Sequence, residues 1–126
     1  MRFFFILFLL ATSLAAQTLV SADHDYFQFS GRMDFLEDEV VIYWPGSSIR
    51  ANFSGSTLEI ILDDKTGDNF YNVIIDGNDG QPVVLDCKKG EHRYAVAKDL
   101  SAGEHSVLIF RRTEGFSGPT RFGGLV

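Results

Sequence analysis

The sequence has few of the features that mark several common protein classes. Its single cysteine, Cys87, cannot form a disulfide within the chain, which excludes a small scaffold stapled by disulfides. Only 11 lysines and arginines oppose 17 acidic residues, and the formal net charge of -6 argues against nucleic-acid binding, which needs a clustered positive face. No segment keeps a helical period of apolar residues over three turns, so a helical fold is not expected.

Motifs that carry hydrolytic chemistry are also missing. No Gly-x-Ser-x-Gly occurs, and the nearest strings, GSSIR from Gly46 and GFSGP from Gly115, both fail the pattern. Adjacent acids such as Asp63 and Asp64 are usually solvated in turns rather than paired for catalysis. We therefore predict no catalytic residue, no required cofactor and no defined metal ligand set, although the acidic stretch from Asp63 to Asn69 leaves calcium open.

The N-terminal segment has the pattern of a secretory signal peptide. Arg2 precedes the apolar run FFFILFLLATSLAA, which is short for a membrane span and ends in small residues. We predict a signal peptide over residues 1–16 and a mature domain over residues 17–126, secreted or periplasmic. No later hydrophobic run approaches membrane-spanning length, so no membrane anchor is expected in the mature form.

The mature chain has the pattern of an all-β protein. Runs rich in Val, Ile, Phe and Tyr alternate with turns rich in Gly, Asp, Asn and Ser, which predicts a β-sandwich of jelly-roll type, with a barrel as the alternative. Alternating residues in 48–53 and 58–62, separated by a turn at Gly55, predict a hairpin with one solvated face. The predicted strands cover residues 27–35, 40–44, 48–53, 58–62, 71–76, 83–86, 92–97, 106–112 and a last one from Thr120.

The triplet Gly-Glu-His occurs twice, ending at His92 and at His105. In each copy the glycine closes a turn and the histidine opens a strand, and the short loop between these strands predicts that they are antiparallel neighbours. Six residues at about 3.3 Å each then separate the two histidines by roughly 20 Å, too far for one metal ion. The repeat is interpreted as the same turn used twice.

The strand from Ser106 to Arg112 is apolar on both faces, because Leu108 and Phe110 alternate with two further apolar residues. One face should enter the core, and either another part of the chain or a partner domain should cover the other. Arg111, Arg112 and Glu114 end this strand. With Leu108 and Phe110, they are the predicted contacts with such a domain.

Aromatic residues offer candidate surfaces for sugar rings. Trp44 and Tyr71 are the candidate carbohydrate contacts, although the position of Trp44 at a strand end, just before Pro45 and Gly46, favours a ring that caps the core. Phe70, Tyr94 and Phe116 are further aromatic residues of this kind. Cys87 shares a strand face with apolar residues, which predicts a buried thiol.

Four segments in order resemble the N-terminal β-sandwich of carbohydrate esterase family two, the acetylxylan esterase group. They are FSGRMDF, WPGSSIRANFSGSTLEIILDD, NFYNVIIDG and AKDLSAGEHSVLIFRRTEG, and the likeness runs from about Phe29 to Phe122. In that family a jelly roll precedes a hydrolase domain of the SGNH type, whose nucleophile lies in a Gly-Asp-Ser motif. This sequence contains no Gly-Asp-Ser, and His92 and His105 match turn positions of the sandwich rather than a catalytic base.

The resemblance implies a non-catalytic accessory domain. Such a domain would support a hydrolase domain, missing from this sequence, that deacetylates plant polysaccharides such as acetylated xylan or glucomannan. The alternatives are a free-standing carbohydrate-binding module and, after it, a structural or adhesive exported domain without a ligand.

Overall fold

The computed structural model describes residues 18–22 and 25–126, so the predicted signal peptide lies outside the described residues. Among those described residues, no helix has the length and hydropathy required to cross a bilayer. Eleven strands and one 3-10 turn, Gly115–Ser117, make up the regular structure of these described residues. The strands are β1 (Val20–Ser21), β2 (Gln28–Ser30), β3 (Met33–Phe35), β4 (Val40–Ile42), β5 (Ser48–Ser54), β6 (Leu58–Asp64), β7 (Phe70–Ile75), β8 (Val83–Asp86), β9 (Gly90–Ala97), β10 (Glu104–Arg111) and β11 (Thr120–Leu125).

The strands form two antiparallel sheets packed face to face. Sheet I has the order β3-β4-β11-β6-β9, with β1 paired to β11, and sheet II has the order β2-β5-β10-β7-β8. From β4 onward the chain mostly crosses from one sheet to the other at each turn, and β11 returns between β4 and β6. This is the strand order of a jelly roll, so the predicted fold class is confirmed.

The core lies between the inner faces of the two sheets. Ile49 and Ile109 of sheet II face this core from paired positions, and Leu62 and Phe122 do so from sheet I. The ring of Phe122 is completely buried and meets that of Phe27 edge to face at 5.2 Å between centroids. Burying one such side chain stabilises the fold by about 1.5–3 kcal/mol.

The predicted hairpin between residues 48–53 and 58–62 is wrong. β5 pairs with β2 and β10 in sheet II, whereas β6 pairs with β9 and β11 in sheet I. The turn at Gly55 therefore carries the chain across the sandwich. Alternating apolar residues fit a strand that faces the core from either sheet, so the pattern did not distinguish a hairpin from a crossover.

The single strand predicted over residues 27–35 is two strands in different sheets. β2 pairs with β5 in sheet II and β3 pairs with β4 in sheet I. The break lies at Gly31, whose φ of +105° favours glycine and where a Cβ would stand 3.0 Å from Ser47 Oγ. Close approach of the two segments therefore requires glycine at the point where the chain changes sheets.

The two Gly-Glu-His copies begin strands that are not neighbours. β9 lies at the edge of sheet I and β10 in the middle of sheet II, so the predicted antiparallel pairing between them is wrong. The ring of His92 is 3.0 Å from the carbonyl oxygen of Lys89, whereas that of His105 contacts Asp76 and Ser101. Within the described part of the chain, no group of three or more His, Cys, Asp or Glu is placed to hold a metal ion.

β11 contains a bulge between Phe122 and Gly124, next to the short strand β1. Gly124 has φ +124°, and a Cβ there would overlap the carbonyl oxygen of Val20. The pairing of β1 onto sheet I therefore depends on a residue without a side chain at this position.

Candidate functional site

Arg111 occupies the last position of β10 and is completely buried. It shares the inward face of the strand with Val107 and Ile109, because side chains alternate with a period of two. The prediction that Arg111 is a rim residue for a domain contact is therefore wrong. A charged side chain is usually exposed, but the register of β10 directs Arg111 into the interior.

The Arg111 guanidinium holds three segments together through backbone carbonyl groups. Nη1 donates to the carbonyl of Ile42 at 2.6 Å, and Nη2 donates to those of Gly118 at 2.7 Å and Glu114 at 3.0 Å. Nε donates to the carbonyl of Thr113 at 3.1 Å. These bonds tie the end of β4 and the segment 113–118 to β10.

A buried amide joins this arginine to a buried carboxylate. Asn69 Oδ1 accepts from Arg111 Nη2 at 2.8 Å, and Asn69 Nδ2 donates to Asp64 Oδ1 at 2.6 Å. Thr120 Oγ1 also donates to Asp64 Oδ1, at 2.9 Å, and Thr113 Oγ1 donates to Asn69 Oδ1. We call this set, Asp64, Asn69, Arg111, Thr113 and Thr120, the Arg111 brace.

The brace assigns a structural role to part of the acidic stretch that the sequence left open to calcium. Asp64 Oδ2 accepts from the backbone N–H groups of Gly67 at 2.9 Å and Asn69 at 3.4 Å. Both carboxylate oxygens are thus occupied by N–H and O–H donors, and the Asn69 side chain is committed to the brace. Asp68 is exposed on the loop outside it.

Exposed aromatic rings lie on the loops that the brace holds. Trp44, in the turn after β4, is 52% exposed, and Phe116 in the 3-10 turn is 90% exposed. The backbone at Gly115 lies against the indole, since a Cβ there would be 3.7 Å from ring carbons Cε3 and Cζ3. About half of the Trp44 side chain is therefore accessible, and both its role as a carbohydrate contact and its role as a core cap stay predictions.

Tyr71 does not share this surface. Its side chain points into the core and has no exposed area, so the prediction of Tyr71 as a carbohydrate contact is wrong. Its neighbour Phe70 points outward and is 37% exposed. Burial raises the pKa of the Tyr71 hydroxyl well above its ordinary value, which keeps the group neutral.

The outer face of sheet II carries an apolar surface at one end. Leu108 and Phe110 of β10 point outward, opposite Ile74 and Asn72 of β7, and Val84 of β8 adjoins Asn72. Phe110 is 37% and Val84 49% exposed, and the segments that the structure describes leave both open. We call Ile74, Val84, Leu108 and Phe110 the open face. Of the predicted domain contacts, Leu108 and Phe110 belong to it.

Arg112 and Glu114 follow directly after β10 and are both exposed. The backbone N–H of Arg112 donates to the carbonyl of Phe70 at 3.0 Å, so its position beside β7 is fixed. These two charged residues, unlike Arg111, are free to contact a partner domain.

His105 and Asp76 form a hydrogen-bonded pair at the other end of β10. Imidazole Nδ1 lies 2.6 Å from Asp76 Oδ2, and Nε2 lies 2.6 Å from the carbonyl oxygen of Ser101. The Ser101 carbonyl and the Asp76 carboxylate raise the pKa of His105, and the bonds from His105 and from Ser106 N–H lower the pKa of Asp76. Because Nε2 faces a carbonyl rather than a hydroxyl, the pair does not activate a serine nucleophile.

Cys87 directly follows β8 and is 2% exposed, which confirms the predicted burial. Burial raises the pKa of the thiol to about 12, so the reactive thiolate is scarce at neutral pH.

Comparison with known proteins identifies the family. The protein-family model described as "Carbohydrate esterase 2 N-terminal" matches residues 29–126 of this chain. The "Acetylxylan esterase / glucomannan deacetylase" of Cellvibrio japonicus is 28% identical over 100 residues, and the "Cellulase/esterase CelE" of Acetivibrio thermocellus is 26% identical over 103 residues. These alignments cover 79% and 81% of this chain, but only 27% and 12% of the respective relatives.

A solved structure shares the fold. The structure of a family two carbohydrate esterase from Cellvibrio japonicus superposes with a TM-score of 0.79 at 23% identity, covering 86% of this chain and 32% of that one. The chain thus spans about a third or less of each of these relatives, and the family model that it matches describes an N-terminal domain. This chain belongs to carbohydrate esterase family two, of which it represents the N-terminal β-sandwich domain.

Proposed function

We propose that this chain is the non-catalytic N-terminal accessory domain of a secreted carbohydrate esterase of the acetylxylan type. The observation that carries the proposal is the family match over residues 29–126 together with the small fraction of each relative that it covers. The chemistry would then belong to a hydrolase domain of the SGNH type, and this sandwich would support that domain.

The described residues offer no constellation for acyl transfer, which favours an accessory role. The one histidine–carboxylate pair among these residues, His105 with Asp76, faces the carbonyl of Ser101. Cys87 is buried and its pKa is raised. A hydrolase needs a nucleophile within hydrogen-bond reach of a base, and neither group meets that condition.

The open face and the charged pair Arg112 and Glu114 are the proposed contact with the hydrolase domain. Exposed apolar side chains on one sheet face, such as Phe110 and Val84 on either side of Asn72, are expected where another domain packs. Their polar border at Arg112 and Glu114 fits the charged rim of such a contact. This contact would place β10 against the catalytic domain.

Trp44 remains the proposed carbohydrate contact, because its exposed ring can stack on a sugar face. The C. japonicus relative is named as an acetylxylan esterase and glucomannan deacetylase, and acetylated xylan and glucomannan are accordingly the proposed substrates of the whole protein.

Secretion to the exterior or the periplasm is proposed from the signal-peptide pattern of residues 1–16. N-terminal sequencing of the exported protein tests it. A mature chain beginning near Gln17 is expected, and retention of the apolar segment would contradict it.

The coding DNA tests the accessory role. Sequenced onward from the codon for Val126, the frame should soon encode Gly-Asp-Ser, an α/β pattern and a distal histidine. An immediate stop codon would refute the hydrolase partner and favour the free-standing carbohydrate-binding module, which the exposure of Trp44 makes the second candidate. Separately, the chain alone should release no acetate from acetylated xylan, and release above a blank would contradict its non-catalytic character.

A further inference from the structure

A groove of about 290 Å³ lies on the outer face of sheet II, at the end away from Phe110. Its lining includes Tyr26, Gln28, Arg50, Asn52, Ser106 and Leu108. The volume is at the lower end of the range for small-ligand sites. Unlike the open face, the groove includes several polar side chains, and only Leu108 and Ile74 are shared between the two.

The polar side chains come together through strand register. Gln28 of β2 lies opposite Arg50 of β5, and Leu108 of β10 lies opposite Arg50 on the other side. Asn52 lies opposite Ser106. Residues opposite each other on neighbouring strands are about 5 Å apart, and residues i and i+2 of one strand are about 6.6 Å apart. The polar groups therefore form a compact grid on a rigid sheet.

Three polar side chains of the groove have no hydrogen-bond partner within the described part of the chain. The side chains of Gln28, Arg50 and Asn52 make no hydrogen bond to another described residue, although the three supply amide and guanidinium donors and amide acceptors. A set of planar hydrogen-bonding groups held on paired strands is thus available to a ligand.

No carboxylate of a described residue lines the groove. Among the described residues, Arg50 is the one charged residue that lines it. The nearby carboxylate of Asp76 accepts bonds from His105 and from the backbone N–H of Ser106, so it is occupied. Arg50 is therefore left to donate to a ligand rather than to pair with an acid of the same sheet.

We propose that this groove binds a short segment of a neutral polysaccharide. Amide and guanidinium groups match the paired donor and acceptor character of sugar hydroxyls, while the side chains of Tyr26 and Leu108 supply apolar surface for the C–H face of a ring. A protein partner fits less well, because it would desolvate several polar side chains at the centre of the contact. The carbohydrate class rests on the proposed function, whereas the position rests on the groove itself.

The experiment is affinity electrophoresis of the chain in gels containing deacetylated xylan or glucomannan, followed by titration of the corresponding hexasaccharide. A bacterial host is required because Asn52-Phe53-Ser54 is an N-glycosylation sequon, and a glycan on Asn52 would fill the groove. The variants are Arg50→Ala and Asn52→Ala, with Arg93→Ala as the matched control. Arg93 is an exposed arginine on the edge strand β9 of the other sheet.

At least one neutral polysaccharide should retard the chain. Arg50→Ala and Asn52→Ala should each raise the Kd about tenfold or more, because each removes hydrogen bonds at the centre of the site. Arg93→Ala should bind as the parent does, and unchanged circular dichroism should show that each variant is folded.

Three results would overturn the proposal. In the first, no neutral polysaccharide retards the folded chain. In the second, binding is lost in Trp44→Ala but kept in Arg50→Ala and Asn52→Ala. In the third, only an acidic polysaccharide retards the chain. None of these results depends on what the coding DNA specifies after Val126. The proposed groove and the proposed accessory role can therefore be refuted independently of each other.

Discussion

Replacing Arg111 with methionine tests the brace at its centre. The substitution keeps an unbranched side chain of similar length and removes every guanidinium bond. It leaves the carbonyl groups of Ile42 and Gly118 without their 2.6 and 2.7 Å donors. It also leaves Asp64 buried without a cation linked to it through Asn69.

The expected loss follows from these contacts. Each buried carbonyl acceptor left without its donor costs about 1–3 kcal/mol, and the carbonyl groups of Ile42 and Gly118 each lose one. We expect Arg111→Met to lower the free energy of unfolding by about 4 kcal/mol, a large share of the 5–15 kcal/mol typical of a domain. With an m-value of about 2 kcal/mol/M, the urea midpoint should fall by about 2 M.

The assay is urea unfolding followed by two signals. Far-UV circular dichroism reports the sheets, and fluorescence of Trp44, the one tryptophan, reports the loops that the brace holds. Arg112→Met is the matched control, because it changes an exposed arginine one position along and should shift stability by no more than about 0.5 kcal/mol. A loss below about 1 kcal/mol in Arg111→Met, or an equal loss in both variants, would refute the structural role assigned to the buried guanidinium.

Three further predictions concern other parts of the sandwich. Protonated His105 should stabilise the fold fully below its unfolded pKa of about 6.5, and this stabilisation should be lost as the pH rises through its raised folded pKa. The stabilisation that ionised Asp76 contributes should instead be lost as the pH falls below about 3.8. Melting temperatures from pH 6 to 9 should therefore decline in the parent and less in His105→Gln, and parallel curves would contradict this. Cys87 should resist a thiol reagent at pH 8 until urea unfolds the chain, and rapid native labelling would show that it is accessible. Gly124→Ala should lower the free energy of unfolding by about 3 kcal/mol or more. Gly46→Ala, where no atom lies near the added Cβ, should lower it by only about 1 kcal/mol. Equal losses measured by urea unfolding would contradict the steric argument.

Residue type and strand register gave conflicting indications at several positions. Tyr71 and Arg111 were assigned to the surface because amphipathic and charged side chains are usually exposed. Both are completely buried. For Arg111 the sequence contained the correct signal, since it continues the inward series of Val107 and Ile109.

Neither the Arg111 brace nor the groove could be predicted from the sequence. The Arg111 brace draws its members from positions 64, 69, 111, 113 and 120. The groove brings together Gln28, Arg50 and Ser106 from three strands. Such sets arise only when distant segments become neighbours, and period-two alternation does not say which strands will pair.

The sequence by itself determined most of the strand segments, which face of most strands is apolar and which family the chain belongs to, because these depend on local alternation, turn residues and ordered motifs. The tertiary structure decided that β5 and β6 lie in opposite sheets, that Arg111 is a buried brace rather than a rim residue, and that Arg50 faces an open groove. The physical reason is that a strand's alternation fixes the direction of its side chains, whereas their partners are fixed only by the packing of the two sheets.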